Sequence, residues 1–209
     1  MKKVVKYLIN GILGGIMIGM GGTIFLSLDN KVIGASLFAI GLFMIVIRGF
    51  GLYTGKIGYL FDNKLSYVVE IVWTIIGNYV GTFFVGYLLR FTRVYTLLHE
   101  KAISLCNIKL DDSIISIFIL SLFCGLLMYL AVNGYRDMKD NFARYAGVFL
   151  CVIVFILCGF EHSVANMFYF AVANIYSMKV FGYLGIMILG NAIGSFIIPL
   201  SDKLKKVLD

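Results

Sequence analysis

Charged residues and proline are both scarce in this sequence of 209 residues. Only 14% of the residues are Asp, Glu, Lys or Arg, and the single proline is Pro199. So few charges cannot cover a water-soluble surface, since soluble domains carry about 25% charged residues. Hydrophobic residues make up 61% of the chain, with 18 Phe and 13 Tyr, which excludes a disordered chain. The mean hydropathy of +0.96 therefore predicts a protein embedded in a lipid bilayer.

The residues that metal-dependent and nucleophilic enzymes use are also missing or wrongly spaced. There are two histidines, His99 and His162, with no His-Glu-x-x-His motif and no glycine-rich phosphate loop. The four cysteines lack the paired spacing of metal or disulfide sites, so they are predicted to be buried packing residues. We therefore expect a protein that is not an enzyme and has no metal or cofactor.

Six apolar runs are each long enough to cross a membrane, which takes about 20 residues. Polar stretches separate them, the longest from Arg90 to Asp112, and no soluble domain fits between them. The first run is too long for the apolar core of a signal peptide and is expected to remain as the first helix. The chain is thus predicted to be one transmembrane domain over residues 1–209, with runs at roughly 7–28, 32–61, 66–89, 113–135, 145–176 and 180–200.

The distribution of Lys and Arg predicts the orientation of the chain. An even number of crossings puts both termini on one side of the membrane. Basic residues are more frequent at the termini and in the loops on that side, so the positive-inside rule predicts cytoplasmic termini in the cell membrane. This topology and anionic lipids explain the net charge of +7, and no nucleic-acid partner is expected.

Two landmarks recur along the chain at nearly the same offset. Gly49-Phe50 in the second run returns as Gly159-Phe160 in the fifth. Gly77-Asn78-x-x-Gly81 in the third run returns as Gly190-Asn191-x-x-Gly194 in the sixth. Such glycines also serve close helix packing alone. The nearly equal offset of the two landmarks predicts a duplicated three-helix unit, with repeats at about 7–92 and 109–200.

Polar residues interrupt the middle run of each predicted repeat just after its Gly-Phe pair. Interrupted helices at corresponding places indicate a transport site near the midplane, where freed backbone groups line a cavity. Because three crossings is an odd number, the second repeat must be inverted. Pro199 is expected to end the last run, so glycine-containing loops must break the helices. The sequence thus predicts an all-α membrane protein with six transmembrane helices in two inverted repeats, broken second and fifth helices, and an aquaporin-like architecture.

Ionisable residues within the apolar runs are candidates for the site, because a charge in lipid is costly without a partner or cavity. His162 ranks first, since it lies in mid-run and changes charge near neutral pH. Glu161 is predicted mainly to cap or pair with the backbone of the broken helix. Arg48 and Lys56 have no acidic residue within four positions, which predicts unpaired cations that attract anions. Alternatively, Lys56 snorkels and Arg48 caps backbone carbonyls.

These motifs resemble those of the formate/nitrite transporter family over nearly the whole chain. The run from Gly159 to Phe168, Gly-Phe-Glu-His-Ser-Val-Ala-Asn-Met-Phe, is similar residue for residue to the family's fifth-helix signature. Shorter motifs also resemble the family: Leu52-Tyr53-Thr54-Gly55, Leu130-Ala131-Val132 and Gly190-Asn191-Ala192-Ile193-Gly194. The resemblance implies six spans with broken second and fifth helices and a homopentamer with one pore per subunit.

The resemblance also implies a set of pore residues. The family's central histidine corresponds to His162, its loop threonine to Thr54 and its sixth-helix asparagine to Asn191. Its vestibule lysine corresponds to Lys109, which on its own would be an ordinary loop lysine at the mouth of the fourth run. Weaker motifs match the family's hydrophobic constrictions to Phe38, Leu42, Leu52, Tyr53 and Phe155.

Several positions depart from the family's pattern and bear on the choice of substrate. Tyr53 replaces the usual Phe and adds a hydroxyl to a constriction. Gly51 replaces an acidic residue and Lys56 an Asn, which makes the broken second helix more positive. Gly125 and Ala171 replace an Asn and a Pro.

The combined features predict a channel or transporter for small monovalent weak-acid anions such as formate, nitrite or hydrosulfide. The anion is drawn to a cationic vestibule at Lys109 and then meets apolar constrictions, which a bare ion finds costly. Thr54 and Asn191 would supply hydrogen bonds in the dry centre. Two roles of His162 stay open: proton transfer near it neutralises the anion, or its imidazolium pairs with the anion.

The expected partners are small anions, protons and membrane lipids. The alternative is a pore for neutral small solutes such as water or glycerol, although the twin Asn-Pro-Ala motifs of such channels are absent from the sequence. A non-conducting membrane subunit would leave His162 without a role.

Overall fold

The computed structural model describes residues 1–208, so Asp209, the last residue of the predicted domain, lies outside the described residues. Within residues 1–208 the chain is helical and contains no strand, in agreement with the all-α prediction. A 3₁₀ segment covers Ile57–Asp62. The helices are α1 (Lys2–Ser27), α2 (Lys31–Phe38), α3 (Ile40–Arg48), α4 (Tyr53–Lys56), α5 (Tyr67–Leu89), α6 (Tyr95–Asp111), α7 (Ile114–Asp137), α8 (Asn141–Leu157), α9 (Ser163–Ala173) and α10 (Met178–Leu208).

The long apolar helices account for most of the predicted crossings. Among residues 1–208, five stretches are long and apolar enough to span a membrane: α1, α2 with α3, α5, α7 and α10. The fifth predicted run, 145–176, is divided between α8 and α9, which have 17 and 11 residues. Each is shorter than the roughly 20 residues that a crossing needs, so this part of the chain depends on both helices together.

A Gly-Phe pair follows each helix that leads into an interruption. Gly49 after α3 has a φ of +67° and Gly159 after α8 has a φ of +70°, a left-handed conformation that glycine adopts without strain. The next N–H then bonds to the carbonyl five residues earlier, at 3.0 Å for Phe50 and 2.9 Å for Phe160. This bonding ends both helices, and the chain runs on without helix until α4 and α9 begin.

Two helix pairs, α1 with α5 and α7 with α10, make the most extensive contacts of the fold. The helices touch backbone to backbone at glycines. A Cβ atom at Gly81 of α5 would overlap the carbonyl oxygen of Ile12, and one at Gly194 of α10 would overlap that of Leu122. Small residues allow this close approach in lipid, where packing contributes strongly to helix association.

The polar connection predicted for Arg90–Asp112 is instead largely a helix, α6. Its buried face consists of Leu98, Ala102 and Cys106, spaced by four residues, and it packs against α9. Lys109 accordingly lies in the last turn of α6 and not in a loop at the mouth of α7.

The prediction that Pro199 ends the last span is wrong. Helix α10 continues through Pro199 to Leu208. Proline removes one backbone donor, so the carbonyl of Ser195, four residues earlier, lacks its usual helical partner. One missing hydrogen bond does not stop a helix whose other bonds continue on both sides.

Candidate functional site

Two cavities reach the interrupted segments. One, the Lys109 cavity, has a volume of about 100 Å³, and its lining includes Lys109, Glu161 and His162. The other, the Lys56 cavity, has a volume of about 210 Å³, and its lining includes Leu52 and Lys56. Among residues 1–208, no group of three or more His, Cys, Asp or Glu side chains is placed to hold a metal ion.

Asn78 on α5 fixes the backbone of the first interruption. Its Oδ1 accepts a hydrogen bond from the Tyr53 N–H at 2.9 Å. Its Nδ2 donates to the Gly51 carbonyl at 2.8 Å and to the Gly11 carbonyl on α1 at 2.7 Å. The side chain is fully buried, and these bonds satisfy backbone groups that the broken helix leaves free.

Asn191 on α10 makes the same set of bonds at the second interruption. Its Oδ1 accepts from the Ser163 N–H at 2.9 Å, and its Nδ2 donates to the carbonyls of Glu161 and Ser121, both at 2.8 Å. Each of these three partners lies the same number of residues after its counterpart around Asn78: Ser163 after Tyr53, Glu161 after Gly51, and Ser121 after Gly11. The predicted role of Asn191 as a donor to a solute is therefore corrected: both amide protons are already donated to the backbone, so Asn191 acts as a positioning residue.

His162 links the two interruptions. Its Nδ1 accepts a hydrogen bond from the Ala165 N–H at 3.1 Å, which caps the start of α9, and its Nε2 lies 2.9 Å from Thr54 Oγ1. Because a backbone N–H only donates, Nδ1 carries no proton, and a neutral ring must hold its proton on Nε2. The Nε2–H then donates to Thr54, whose own hydroxyl proton is left for another acceptor.

The Thr54–His162 pair lies between the two cavities. Leu52, two residues before Thr54, lines the Lys56 cavity, and His162 lines the Lys109 cavity. The imidazole is 2% exposed and stacks on Phe155, with ring centroids 5.5 Å apart. A solute passing between the cavities would therefore meet this hydrogen-bonded pair.

Glu161 pairs with a lysine from another helix. Its carboxylate accepts two hydrogen bonds from Lys109 Nζ, at 2.7 and 2.8 Å, and one from Asn166 Nδ2 at 2.8 Å. The side chains of Lys109 and Glu161 are only 13% and 6% exposed. The prediction that Glu161 mainly caps or pairs with the backbone is thus wrong for its carboxylate, because α6 brings an ammonium group against it. Asn166 was contained in the fifth-helix motif but was not singled out as a site residue.

The predicted unpaired cations beside the first interruption differ in their surroundings. Lys56 Nζ lies 2.6 Å from Glu70 Oε1, so the prediction is wrong for Lys56. The carboxylate is 14 residues away along the chain and reaches Lys56 because α5 packs back against α4. Arg48 is exposed, stands 6.0 Å from the ring centroid of Phe50 and makes no ion pair with residues 1–208.

The residues predicted to form the constrictions are all buried. Phe38 and Phe155 meet edge to face, with centroids 6.0 Å apart. The hydroxyl of Tyr53 donates to the carbonyl of Ile188 on α10 at 3.0 Å, so its polar end is already bonded within the protein. The exposed fractions are 1% for Phe38, Leu42 and Leu52 and 4% for Tyr53 and Phe155.

Comparison with known proteins identifies a group of similar chains. The family described as formate/nitrite transporter matches residues 1–200. The uncharacterized transporter YrhG of Bacillus subtilis is 30% identical, over 91% of this chain and 77% of its own. The formate channel BtFdhC of Bacillus thuringiensis is 30% identical over 77% and 70%. The nitrite transporter NirC of Escherichia coli is 26% identical over 79% and 67%.

The fold is also similar to that of solved structures. A pentameric formate channel with formate bound has a TM-score of 0.82 and 22% sequence identity to this chain. The match covers 100% of this chain and 99% of that one. The two chains therefore share one fold along their whole length.

Proposed function

The chain belongs to the formate/nitrite transporter family, and we propose that it conducts small monovalent weak-acid anions, such as formate, nitrite or hydrosulfide, across the cell membrane. This membership confirms the resemblance drawn from the motifs. The family consists of channels and transporters, which confirms that the chain is not an enzyme. The relatives named for formate and nitrite support this class of substrate. The observation that carries the proposal is the buried Thr54–His162 pair between two lysine-containing cavities.

We propose that the chain is one channel domain built from two inverted three-helix repeats, about 7–92 and 109–200. The second of six membrane-crossing segments would comprise α2 to α4, and the fifth α8 with α9. The matched bonds of Asn78 and Asn191 support this duplication. So does another pair of bonds: the Gly51 N–H bonds to the Asn10 carbonyl, and the Glu161 N–H, at the corresponding place in the second repeat, bonds to the Leu120 carbonyl.

Each cavity offers a lysine to an incoming anion. In the Lys109 cavity the anion competes with the Glu161 carboxylate for the ammonium group, and in the Lys56 cavity it competes with Glu70. Arg136, which lines the Lys56 cavity, and Arg48, near its Phe50 wall, add positive charge. Such pairs attract an anion without holding it irreversibly, as conduction requires.

The hydrogen bonds favour a neutral His162 over an imidazolium ion. A proton on Nδ1 would face the N–H of Ala165 and remove the cap of α9. A bare anion would also be costly beside the buried rings of Phe38 and Phe155. We therefore infer that the anion takes up a proton from the water on the side where it enters, crosses as the neutral acid and releases the proton to the water on the other side. Thr54 keeps its hydroxyl proton and donates only a hydrogen bond to the passing acid. Anion and proton then move together in the same direction.

We also propose that both termini are cytoplasmic and that five copies assemble with one pore in each subunit. The excess of Lys and Arg at the termini and in the loops on their side supports this orientation. The similarity in fold to a pentameric channel supports the assembly. Exposed apolar side chains on α5 and α10 would contact lipid or neighbouring subunits.

Flux into proteoliposomes tests this function. We expect uptake of formate, nitrite and hydrosulfide that rises as the pH falls from about 8 to about 5, because more of each anion can then be protonated. Glycerol should not enter above the rate of empty vesicles. Glycerol entry without anion uptake would indicate the neutral-solute pore and contradict the proposal.

The role of His162 is tested with His162→Asn in the same vesicles. Asparagine is a strong helix N-cap, so the start of α9 is preserved, while the bond to Thr54 is lost. We expect formate flux to fall about tenfold or more, which corresponds to the loss of a buried hydrogen bond. Equal flux in a correctly assembled variant would remove any essential role for His162.

A further inference from the structure

A third cavity lies next to the Lys109 cavity. It has a volume of about 270 Å³, and its lining includes Asp29, Lys31 and Lys101. We call it the outer cavity. Phe25, Lys31 and Leu105 line both this cavity and the Lys109 cavity. Of these three shared residues only Lys31 is charged, so an ion passing from one cavity to the other would encounter it.

Three lysines line this pair of cavities, and two of them are paired with carboxylates. Lys109 bonds to Glu161, and Lys101 Nζ lies 2.7 Å from Asp29 Oδ1. The hydrogen bond from Lys101 and the charge of its ammonium group lower the pKa of the Asp29 carboxyl below its ordinary value, so the carboxylate that compensates Lys101 stays ionised at neutral and mildly acidic pH.

Lys31 differs from the other two lysines. Its Nζ donates to the backbone carbonyl of Leu157 at 3.3 Å, and no carboxylate of residues 1–208 lies within 4.0 Å of it. The Leu157 carbonyl is neutral, so its hydrogen bond does not compensate the positive charge of the Lys31 ammonium group. Lys31 therefore carries the uncompensated positive charge between the two cavities.

The loop around Lys31 is held in place by hydrogen bonds. Asn30 Oδ1 accepts from the N–H groups of Val32 and Ile33, both at 3.0 Å, and caps the start of α2. Lys101 Nζ also donates to the Leu28 carbonyl at 3.2 Å, which ties the loop to α6. The backbone of Lys31 is thus fixed beside the mouth of the Lys109 cavity.

We propose that Lys31 forms an outer binding site for a small monovalent oxyanion such as formate and loads the Lys109 cavity from it. An incoming oxyanion replaces the Leu157 carbonyl at Lys31 Nζ, because a charge-assisted bond is stronger than one to a neutral carbonyl. Lys31 is exposed to water, so binding there is weak and screened by salt. This site rests on the proposed function. It sets the anion concentration at which uptake is half-maximal and does not set the maximal rate of crossing.

Formate uptake by Lys31→Gln, Lys31→Arg and wild-type proteoliposomes tests the site. We expect Lys31→Gln to raise the formate concentration for half-maximal uptake about two- to fivefold at low ionic strength, with the maximal rate nearly unchanged. Lys31→Arg should behave like the wild type, because it keeps the charge. Lys179→Gln, which removes an exposed lysine that lines neither cavity, is the matched control and should have no effect.

Added impermeant salt separates an electrostatic role from a structural one. The difference between Lys31→Gln and the wild type should shrink at high ionic strength, where exposed charges are screened. An unchanged half-saturation, or a lower maximal rate that salt does not alter, would overturn the Lys31 site. Absence of formate uptake by the wild type would instead contradict the proposed function.

Discussion

At the scale of the residue, polar side chains near the centre are used mostly to hold the backbone. Asn78 and Asn191 donate both amide protons to carbonyls around the interruptions, and Tyr53 donates its hydroxyl to Ile188. Thr54 differs, because its oxygen is engaged with His162 and its hydroxyl proton remains for a solute. The adjacent hydroxyl groups of Tyr53 and Thr54 on α4 thus differ in function: the first holds the protein together, and the second can bind a solute.

Replacing each of these hydroxyls separately tests this division. We expect Tyr53→Phe to leave the relative rates for formate, nitrite and hydrosulfide unchanged, with a stability loss of about 1 kcal/mol for the hydrogen bond. Thr54→Val, which has nearly the same shape, should lower all three rates, because it removes the donor to the solute. Flux assays and thermal denaturation in detergent measure both effects. Altered anion selectivity in Tyr53→Phe would mean that its hydroxyl faces the passage.

His162 was chosen from its place in the middle of an apolar run, and Thr54 and Lys109 were chosen from the resemblance to the family. Their partners were harder to predict. Lys109 and Glu161 are separated by 52 residues, and Lys56 and Glu70 by 14, so a search within four positions finds neither pair. Only the packing of α6 and α5 brings these charges together.

At the scale of the helix, the fold depends on glycines where two backbones touch. Gly194 of α10 faces the Leu122 carbonyl of α7, and Gly81 of α5 faces the Ile12 carbonyl of α1. By contrast, Gly182 lies near the start of α10, and apart from its chain neighbours and the adjacent backbone of α10 no atom of residues 1–208 comes within 4 Å of the position its Cβ would take. Helix α10 therefore contains one glycine that packs closely against another helix and one that makes no such contact within the chain.

This contrast predicts opposite effects of the same substitution in α10. Gly194→Ala should destabilise the protein by about 1–3 kcal/mol, since the added methyl group overlaps a backbone carbonyl. Gly182→Ala should leave stability unchanged or raise it by up to about 1 kcal/mol through better helix propensity. Thermal denaturation of both variants in one detergent compares them. Equal stability of the two would contradict the close contact of α7 and α10.

Helices with strong sequence signals were predicted better than those without. Long apolar runs located α1, α5, α7 and α10, and the Gly-Phe pairs marked where α3 and α8 end. The buried face of α6 has one small residue, Ala102, among its three, and polar residues surround it, so its composition resembled that of a loop. For Pro199, the sequence signal for a helix end was outweighed by the helical residues on both sides.

At the scale of the whole molecule, each subunit contains its own pair of cavities and its own Thr54–His162 pair. Every residue that we assign to the path belongs to a single chain. The proposed assembly is then not needed to complete the path. A homopentamer of such subunits should therefore have five independent conduction paths.

Mixed pentamers of wild-type and His162→Asn subunits distinguish independent paths from a shared one. Native mass spectrometry should first show assemblies of five times the 23.3 kDa chain, and any other number of copies would contradict the pentamer. With equal amounts of both subunits, independent paths predict about half of the wild-type formate flux. A single path needing all five wild-type subunits predicts about 3%, because random assembly rarely produces an all-wild-type pentamer. We expect flux proportional to the wild-type fraction, since each chain brings both cavities and the Thr54–His162 pair together on its own.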